Sequence, residues 1–379
     1  MAVMIWAWLI LSYLSLFILG FSDNLRGPLF PEILKHFQIS DTKGALFFSL
    51  TSLVSFLFSL MAIPILNRMS FLRLLQWALV MMSMALLGFS QAPDFAWFLG
   101  AAALLGAAMG FMGVAQNSLA TRAAPRHLRG QVLSGLHSMY GLASFIAPLI
   151  VGIGLEKGRA WNDYFILASL LALAVVLLSF ALPKVNPTSQ VEEKDHPGAP
   201  VPKSLSLWLS LMIGFYVIAE ILVGTRLSLY SIREYHISSA QASQHVTLFY
   251  LGLLSARIAG IFIRWPGSSI FQLATSLIIS LVGYGLGLYV SPWFFALTGL
   301  GMSIFYPTSL AYASQFFPKS EGVIFSLIMA AQSILIVSMH LGVGFVSDLW
   351  SIKVAFHLGL VFLLIAAFCL WRVEVEKSR

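Results

Sequence analysis

Apolar runs of about twenty residues or more, separated by short polar connectors, repeat along the whole chain, and that length matches what a helix needs to cross the hydrocarbon of a bilayer. A transmembrane barrel would instead show short segments of alternating polarity. About twelve spans are predicted, starting near Ile5, Gly44, Leu72, Phe95, Gly130, Tyr164, Leu205, Ala242, Ser268, Trp293, Gly322 and Val354. Between the sixth and seventh lies the longest polar segment, PKVNPTSQVEEKDHPGAPVPKS, whose prolines and mixed charges cannot build a packed core. The pattern therefore predicts an all-α polytopic membrane protein of two six-helix bundles. Residues 1–183 form the first, 184–204 a cytoplasmic linker, and 205–379 the second.

One apolar run breaks the pattern. Gly20 to His36, GFSDNLRGPLFPEILKH, carries Asp23, Asn24, Arg26 and Glu32 together with Pro28 and Pro31. Ionisable groups at membrane depth are expensive unless they face a wet cavity or a partner, so they are candidates for function. The excess length of this first span and its prolines predict a tilt or a break.

Composition supports the membrane assignment: 59% of the 379 residues are hydrophobic and 10% charged, with a mean hydropathy of +0.88, too apolar for a soluble globule. The net charge of +7 does not imply nucleic acid, because the basic residues are scattered rather than gathered on one face. They follow a membrane-side bias. Arg68, Arg73, Arg122, Arg126, Arg129, Lys184, Lys194, Lys203, Arg264, Lys319, Arg372, Lys377 and Arg379 fall on one side, whereas only Lys35, Lys43, Lys157, Arg159, Arg233 and Lys353 fall on the other. The richer side reads as cytoplasmic and places both termini there. The N-terminal run lacks a basic leader and a cleavage signature, so a retained first helix is expected. Cys369 is the only cysteine, which excludes a disulfide framework and a cysteine-based metal site. The histidines show no metal-ligand spacing, and no nucleophile, base and orienter set can be assembled. No cofactor, no metal and no enzymatic activity are expected.

The two halves echo each other. Gly106, Pro125, Gly130 and Gly152 recur in nearly the same order and spacing as Gly299, Pro318, Gly322 and Gly344, and FQIS at Phe37–Ser40 matches YHIS at Tyr235–Ser238. Parallel repeats of this kind mark two-bundle transporters that bind near the midplane. Spans, linker and repeat together resemble the major facilitator superfamily over essentially the whole chain. DNLRGPLFPEIL and QNSLATRAAPRHLRGQVLSGLHSMYGLASFIAPL are similar to its fucose-permease-like group of sugar and proton symporters. Two departures stand beside that resemblance. The loop motif after the second span, often like G-x-L-x-D-R-x-G-R-R in the superfamily, is AIPILNRMSFLRLL here, so Arg68 and Arg73 remain without the acidic partner or the glycines. Gly27 and Gly113 occupy positions that carry carboxylates in the fucose-permease-like pattern, so proton-driven sugar symport does not transfer directly.

Arg26 and Arg226 each precede a histidine, His36 or His236, by ten residues, which predicts similar depths on the first and seventh helices. Two guanidiniums there could clamp a carboxylate or phosphate, and paired arginines on these helices resemble the organic-phosphate exchangers of the superfamily. The alternative is local neutralisation, since Asp23 and Arg26 share a helical face at i,i+3 spacing. Asp23, Glu220 and His137 are the proton-coupling candidates, and His340 is a second buried histidine. Asn117 and Tyr140 are the preferred further substrate contacts, followed by Gln116, Ser138, Tyr306 and Gln332, with Pro307 expected to bend the tenth span. The same polar groups could equally serve as interhelical glue. Arg68, Arg73, Glu32, Pro28 and Pro31 are the gating candidates. Gly106, Gly110 and Gly113 are expected to permit close helix packing.

The function expected is secondary-active, alternating-access transport of a small polar solute, sugar-like or organic-anionic, coupled to protons. The protein is expected as a monomer in a bacterial inner membrane, with solute, protons and the lipid bilayer as its partners. Two rivals stand beside it: an exporter of amphipathic compounds, and a non-transporting membrane receptor or assembly partner.

Overall fold

The structure, a computed structural model, describes residues 6–181, 202–262, 266–317 and 320–377. Its helices are α1 (Trp6–Phe37), α2 (Asp41–Leu66), α3 (Phe71–Ser90), α4 (Phe95–Ala123), α5 (Arg129–Glu156) and α6 (Asp163–Ala181), followed by α7 (Lys203–Tyr235), α8 (Ser239–Phe262), α9 (Ser269–Tyr289), α10 (Phe295–Met302), α11 (Phe305–Phe316), α12 (Glu321–Leu349) and α13 (Ile352–Lys377). No strand occurs among the described residues. Eleven segments are long and apolar enough to cross a membrane, with α10 and α11 lying in a single such segment. α8 fills the remaining place among the predicted spans and packs on α7 and α10. Helix starts fall within a few residues of the predicted ones; the expected start at Ile5 lies outside the described residues, as do Pro318 of the repeat and the linker up to 201.

Contacts divide the chain into two compact units, Met1–Thr188 and Ser189–Arg379. In the first, α1 packs on α4, α5 and α6, while α4 also receives α2 and α3. In the second, α7 packs on α8, α12 and α13, while α10 receives α8 and α9. Lipid tails are as apolar as leucine, so close approach and polar contacts, rather than hydrophobic force, hold such helices together.

Glycines supply that close approach at equivalent places. A Cβ on Gly106 of α4 would stand 2.5 Å from the carbonyl oxygen of Thr51 on α2, and one on Gly110 would strike the carbonyl of Ser55. In the second unit a Cβ on Gly299 of α10 would collide with the carbonyl of Phe249 on α8. Gly113 faces open space and does not serve packing. The repeat also shows in the backbone between helices: Gln38 and His236, at matching positions of FQIS and YHIS, both adopt the left-handed conformation at φ 53°. Ser40 and Ser238 then receive the next helix, accepting from the amides of Lys43 and Gln241.

The prolines behave differently in the two halves. α1 runs unbroken through Pro28 and Pro31, contrary to the predicted alternative of a break; surrounding helices support a membrane helix that has lost single backbone bonds. The tenth span does break, between Met302 and Phe305, with Pro307 just beyond. Proline at 307 has no N–H for the carbonyl of Ser303 and its ring crowds that group, so the helix yields there.

Replacing Gly106 or Gly299 by alanine is expected to lower stability by about 1–3 kcal/mol through overpacking against backbone, while Gly113→Ala is expected to change it by less than about 0.5 kcal/mol. Thermal unfolding of the three purified variants measures the difference.

Candidate functional site

Each unit contains a cluster of polar and charged side chains within its spans. In the first unit it forms around Asp23. Arg26 lies one turn further along α1 and forms an ion pair with the Asp23 carboxylate, while its Nε donates to the Asp23 carbonyl at 3.2 Å. The guanidinium also lies over the rings of Phe47 and Phe48 on α2, at 5.5 and 5.4 Å from their centroids. A cation placed against ring faces gains from their quadrupoles, more so where water is excluded. The second carboxylate oxygen, Oδ2, accepts the hydroxyl of Tyr140 from α5 at 2.5 Å. Asp23 is thus shared between a cation of its own helix and a hydroxyl of another. The arginine side chain is 8% exposed and that of Asp23 is 22% exposed, so the carboxylate is the accessible member. Asn24 fixes the same crossing by donating to Ser144 of α5 at 3.0 Å.

In the second unit the cluster gathers at the broken tenth span. The Tyr216 hydroxyl lies 2.5 Å from Oε2 of Glu220, one turn along α7, and 2.6 Å from the carbonyl of Met302 at the end of α10. Arg257 of α8 donates from Nε to the carbonyl of Ser303 at 3.4 Å. Tyr306 at the start of α11 neighbours Glu220, Arg257 and Gln332 of α12. Gln332 is 6% exposed, and its Nε2 is buried without a hydrogen bond of full geometry. Carboxylate, guanidinium, hydroxyl and amide from separate helices converge, which is the composition of a polar-solute site in an otherwise apolar surround.

The structure brings Asp23, Arg26 and Tyr140 together, and likewise Glu220, Tyr306 and Gln332. The remaining expected contacts fall elsewhere. Gln116 is buried and accepts from Ser15 at 3.1 Å, an interhelical tie within the first unit. Asn117 turns back to the carbonyl of Gly113 at 2.6 Å and Ser138 to that of Ser134 at 2.9 Å. His137, expected to be buried, is exposed on α5, although Gly141, Ser144 and Pro148 further along the same stripe are buried; His340 is buried as expected, at 2% exposure. Arg226 is 1% exposed, with Nη1 donating to the carbonyl of Thr225 at 3.3 Å. The two arginines are also not equivalent in the repeat. α1 ends at Phe37 and α7 at Tyr235, and His236 matches Gln38 rather than His36, which leaves the arginines two positions out of register. Two positions amount to about 3 Å along a helix and about 200° around it. Of the gating candidates, Arg68 and Arg73 are exposed at the turn between α2 and α3, Glu32 and Pro31 are half-buried on α1, and Pro28 is buried.

Arg257 and Tyr216 were not among the sequence candidates. A lone arginine inside the apolar run of the eighth span is a signal that could have found Arg257. Tyr216 carries no such mark, since a tyrosine in a membrane helix is ordinary until its hydroxyl is seen to meet a carboxylate. No group of three or more potential metal-ligating side chains occurs among the described residues.

A family model described as the Major Facilitator Superfamily matches residues 12–334. No curated protein matches the chain. Among solved structures, a bacterial homologue of the human lysosomal transporter Spinster, in an inward-facing, unoccupied conformation, superposes with a TM-score of 0.76 at 15% identity, covering 98% of each chain. The human organic anion transporter MFSD10 gives a TM-score of 0.71 at 14% identity, covering 96% of this chain and 99% of its own. The Escherichia coli fucose:proton symporter FucP gives 0.62 at 16% identity, covering 97% of this chain and 98% of its own.

Asp23→Ala is expected to destabilise the protein by about 3 kcal/mol, because it strands the Arg26 charge in a buried place. Adding Arg26→Met is expected to restore most of that loss, and Tyr140→Phe alone to cost about 1 kcal/mol. A double-mutant cycle by denaturant unfolding checks all three.

Proposed function

Because the chain belongs to the Major Facilitator Superfamily, it is an integral membrane transporter and not an enzyme, and we propose that it carries a small polar solute, sugar-like or organic-anionic, by proton-coupled alternating access. The observation that carries this reading is the shared, accessible carboxylate of Asp23, held by Arg26 on one side and Tyr140 on the other. A solute carboxylate, phosphate or acceptor-rich hydroxyl face takes the place of Asp23 on the guanidinium, which can bind such groups with two parallel N–H donors. Asp23, released from its cation, takes up a proton. When solute leaves, Asp23 gives up that proton and returns to Arg26. Proton and solute thereby bind together and leave together on a single pair of side chains, as a carboxylate moved away from a cation favours its neutral form.

In the second unit, Glu220, Tyr306 and Gln332 are proposed solute contacts, with Arg257 as their cation. Arg257 takes that role in place of Arg226, which is 1% exposed. Asn117 is proposed as a further contact once its bond to Gly113 opens. Among the structural neighbours, an organic anion transporter and a fucose:proton symporter represent the two solute classes that a guanidinium with surrounding hydroxyls recognises. A bacterial inner membrane, cytoplasmic termini and a monomeric carrier complete the proposal, the termini following from the basic bias of the connections. An exporter of lipophilic cations is disfavoured by a cluster whose buried charge is itself cationic.

Uptake of labelled sugars, dicarboxylates and organic phosphates into proteoliposomes tests the proposal. At least one class is expected to accumulate faster under an inward proton gradient, and Asp23→Asn is expected to remove the gradient's effect. Uptake indifferent both to the gradient and to that substitution would overturn the coupling.

A further inference from the structure

The end of α10 presents a problem in backbone chemistry. Where a helix stops inside a membrane, its last carbonyls lose their intrahelical partners, and no water is at hand to replace them. Three successive carbonyls at this break are met by side chains from three different helices. Ser276 of α9 donates to Gly301 at 2.5 Å, Tyr216 of α7 to Met302 at 2.6 Å, and Arg257 of α8 to Ser303 at 3.4 Å.

Of these three donors, Tyr216 is the one with a conflicting obligation. A tyrosine hydroxyl has a single proton to donate, yet its oxygen lies at hydrogen-bond distance from two acceptors, the Met302 carbonyl and Oε2 of Glu220. The ring itself has no freedom to choose, being fully buried and stacked on Phe305 with centroids 4.3 Å apart. Only the hydroxyl hydrogen can turn. The groups facing this pair are Arg257 from α8 and Tyr306 from α11, with Gln332 on α12 beside Tyr306 and His340 two turns further along α12.

We propose that Tyr216 is a positioning residue that ties the state of Glu220 to the stiffness of the break in the tenth span. With Glu220 ionised, the carboxylate takes the Tyr216 proton as its hydrogen bond and the Met302 carbonyl is left uncapped. When Glu220 gains a proton, or accepts a donor from the solute, it stops competing. A protonated Glu220 donates to the Tyr216 oxygen, and the tyrosine hydrogen turns to Met302. No covalent bond to tyrosine forms or breaks; one hydrogen bond moves by a rotation of the hydroxyl. The break is therefore loose when Glu220 is empty and firm when it is loaded. This rests on the proposed role of Glu220 in the transport cycle.

Hydrogen–deuterium exchange of the full chain in lipid, followed on peptides covering 300–309 and corrected for intrinsic chemistry, reads the break directly. In the wild type, exchange there is expected to slow by about fivefold, the factor one ordinary hydrogen bond corresponds to, as the pH falls from about 7 to about 3, across the ordinary range of protein carboxylates. Tyr216→Phe keeps the stacked ring and is expected to exchange fast at both pH values. Glu220→Gln, whose amide donates to the tyrosine oxygen permanently, is expected to exchange slowly at both. Exchange in Glu220→Gln that follows the wild-type pH response, or in Tyr216→Phe that equals the wild type throughout, would overturn the link. Should Tyr216→Phe not fold, the comparison of wild type with Glu220→Gln decides alone. Solute uptake measured on the same preparations separates the two readings. Uptake that ignores a proton gradient while the break still responds to Glu220 removes the coupling and leaves the link standing. Gradient-driven uptake with an indifferent break does the reverse.

Discussion

Inside hydrocarbon, every backbone carbonyl and every charge must find its partner within the protein. This constraint explains why polar side chains in the chain are so few and so specifically employed. Where the backbone is regular, as in α1, prolines are absorbed with little change of course. Where it stops, at the end of α10, donors converge from α7, α8 and α9. Where a cation is buried, at Arg26, a carboxylate and two aromatic rings surround it. Sites capable of recognition arise at these places because satisfying an irregularity requires polar groups, and polar groups near an opening are what a solute can exchange with.

The two units solve the packing problem in the same way and the chemical problem in different ways. Both bring their second and fourth spans together over a glycine, α2 with α4 at Gly106 and α8 with α10 at Gly299, so that backbone touches backbone. Both turn the corner after their first span with a left-handed residue, Gln38 or His236. Against that shared frame, the first unit places its charges within one helix turn and leaves its fourth span whole. The second unit distributes its charges over α7 and α8 and breaks the corresponding span. The sequence repeat describes the frame well, and the side chains that concern transport are where the halves diverge.

The parts of this architecture legible in the sequence are those with local causes. Spans follow from length and apolarity, the glycine and FQIS/YHIS repeats from matching letters, and the Asp23–Arg26 pair from i,i+3 spacing on one helix. What could not be read depends on contacts between distant segments. Tyr140 stands out as a polar group of the fifth span, but its reach to Asp23 on another helix does not follow from its neighbours in the chain. Arg226 looked equivalent to Arg26 because histidines happened to follow both at equal distance, whereas the true landmark is the left-handed residue that ends each turn. The exposure of His137 is not legible either, because its span is apolar throughout and sequence does not say how far along a helix the packing of neighbours extends.

Consider finally the rings that cover Arg26. α2 lays Phe47 and Phe48 against Arg26 of α1, and elsewhere exposes Leu46, Leu53, Leu57, Leu60 and Met61. Turning α2 about its own axis would carry the phenyl groups toward the acyl chains and uncover a guanidinium. The face that α2 already turns to α4 over Gly106 and Gly110 is thus also the setting that covers a charge belonging to its other neighbour. A helix seated on one neighbour through its small polar residues serves a second neighbour as the lid of a cation.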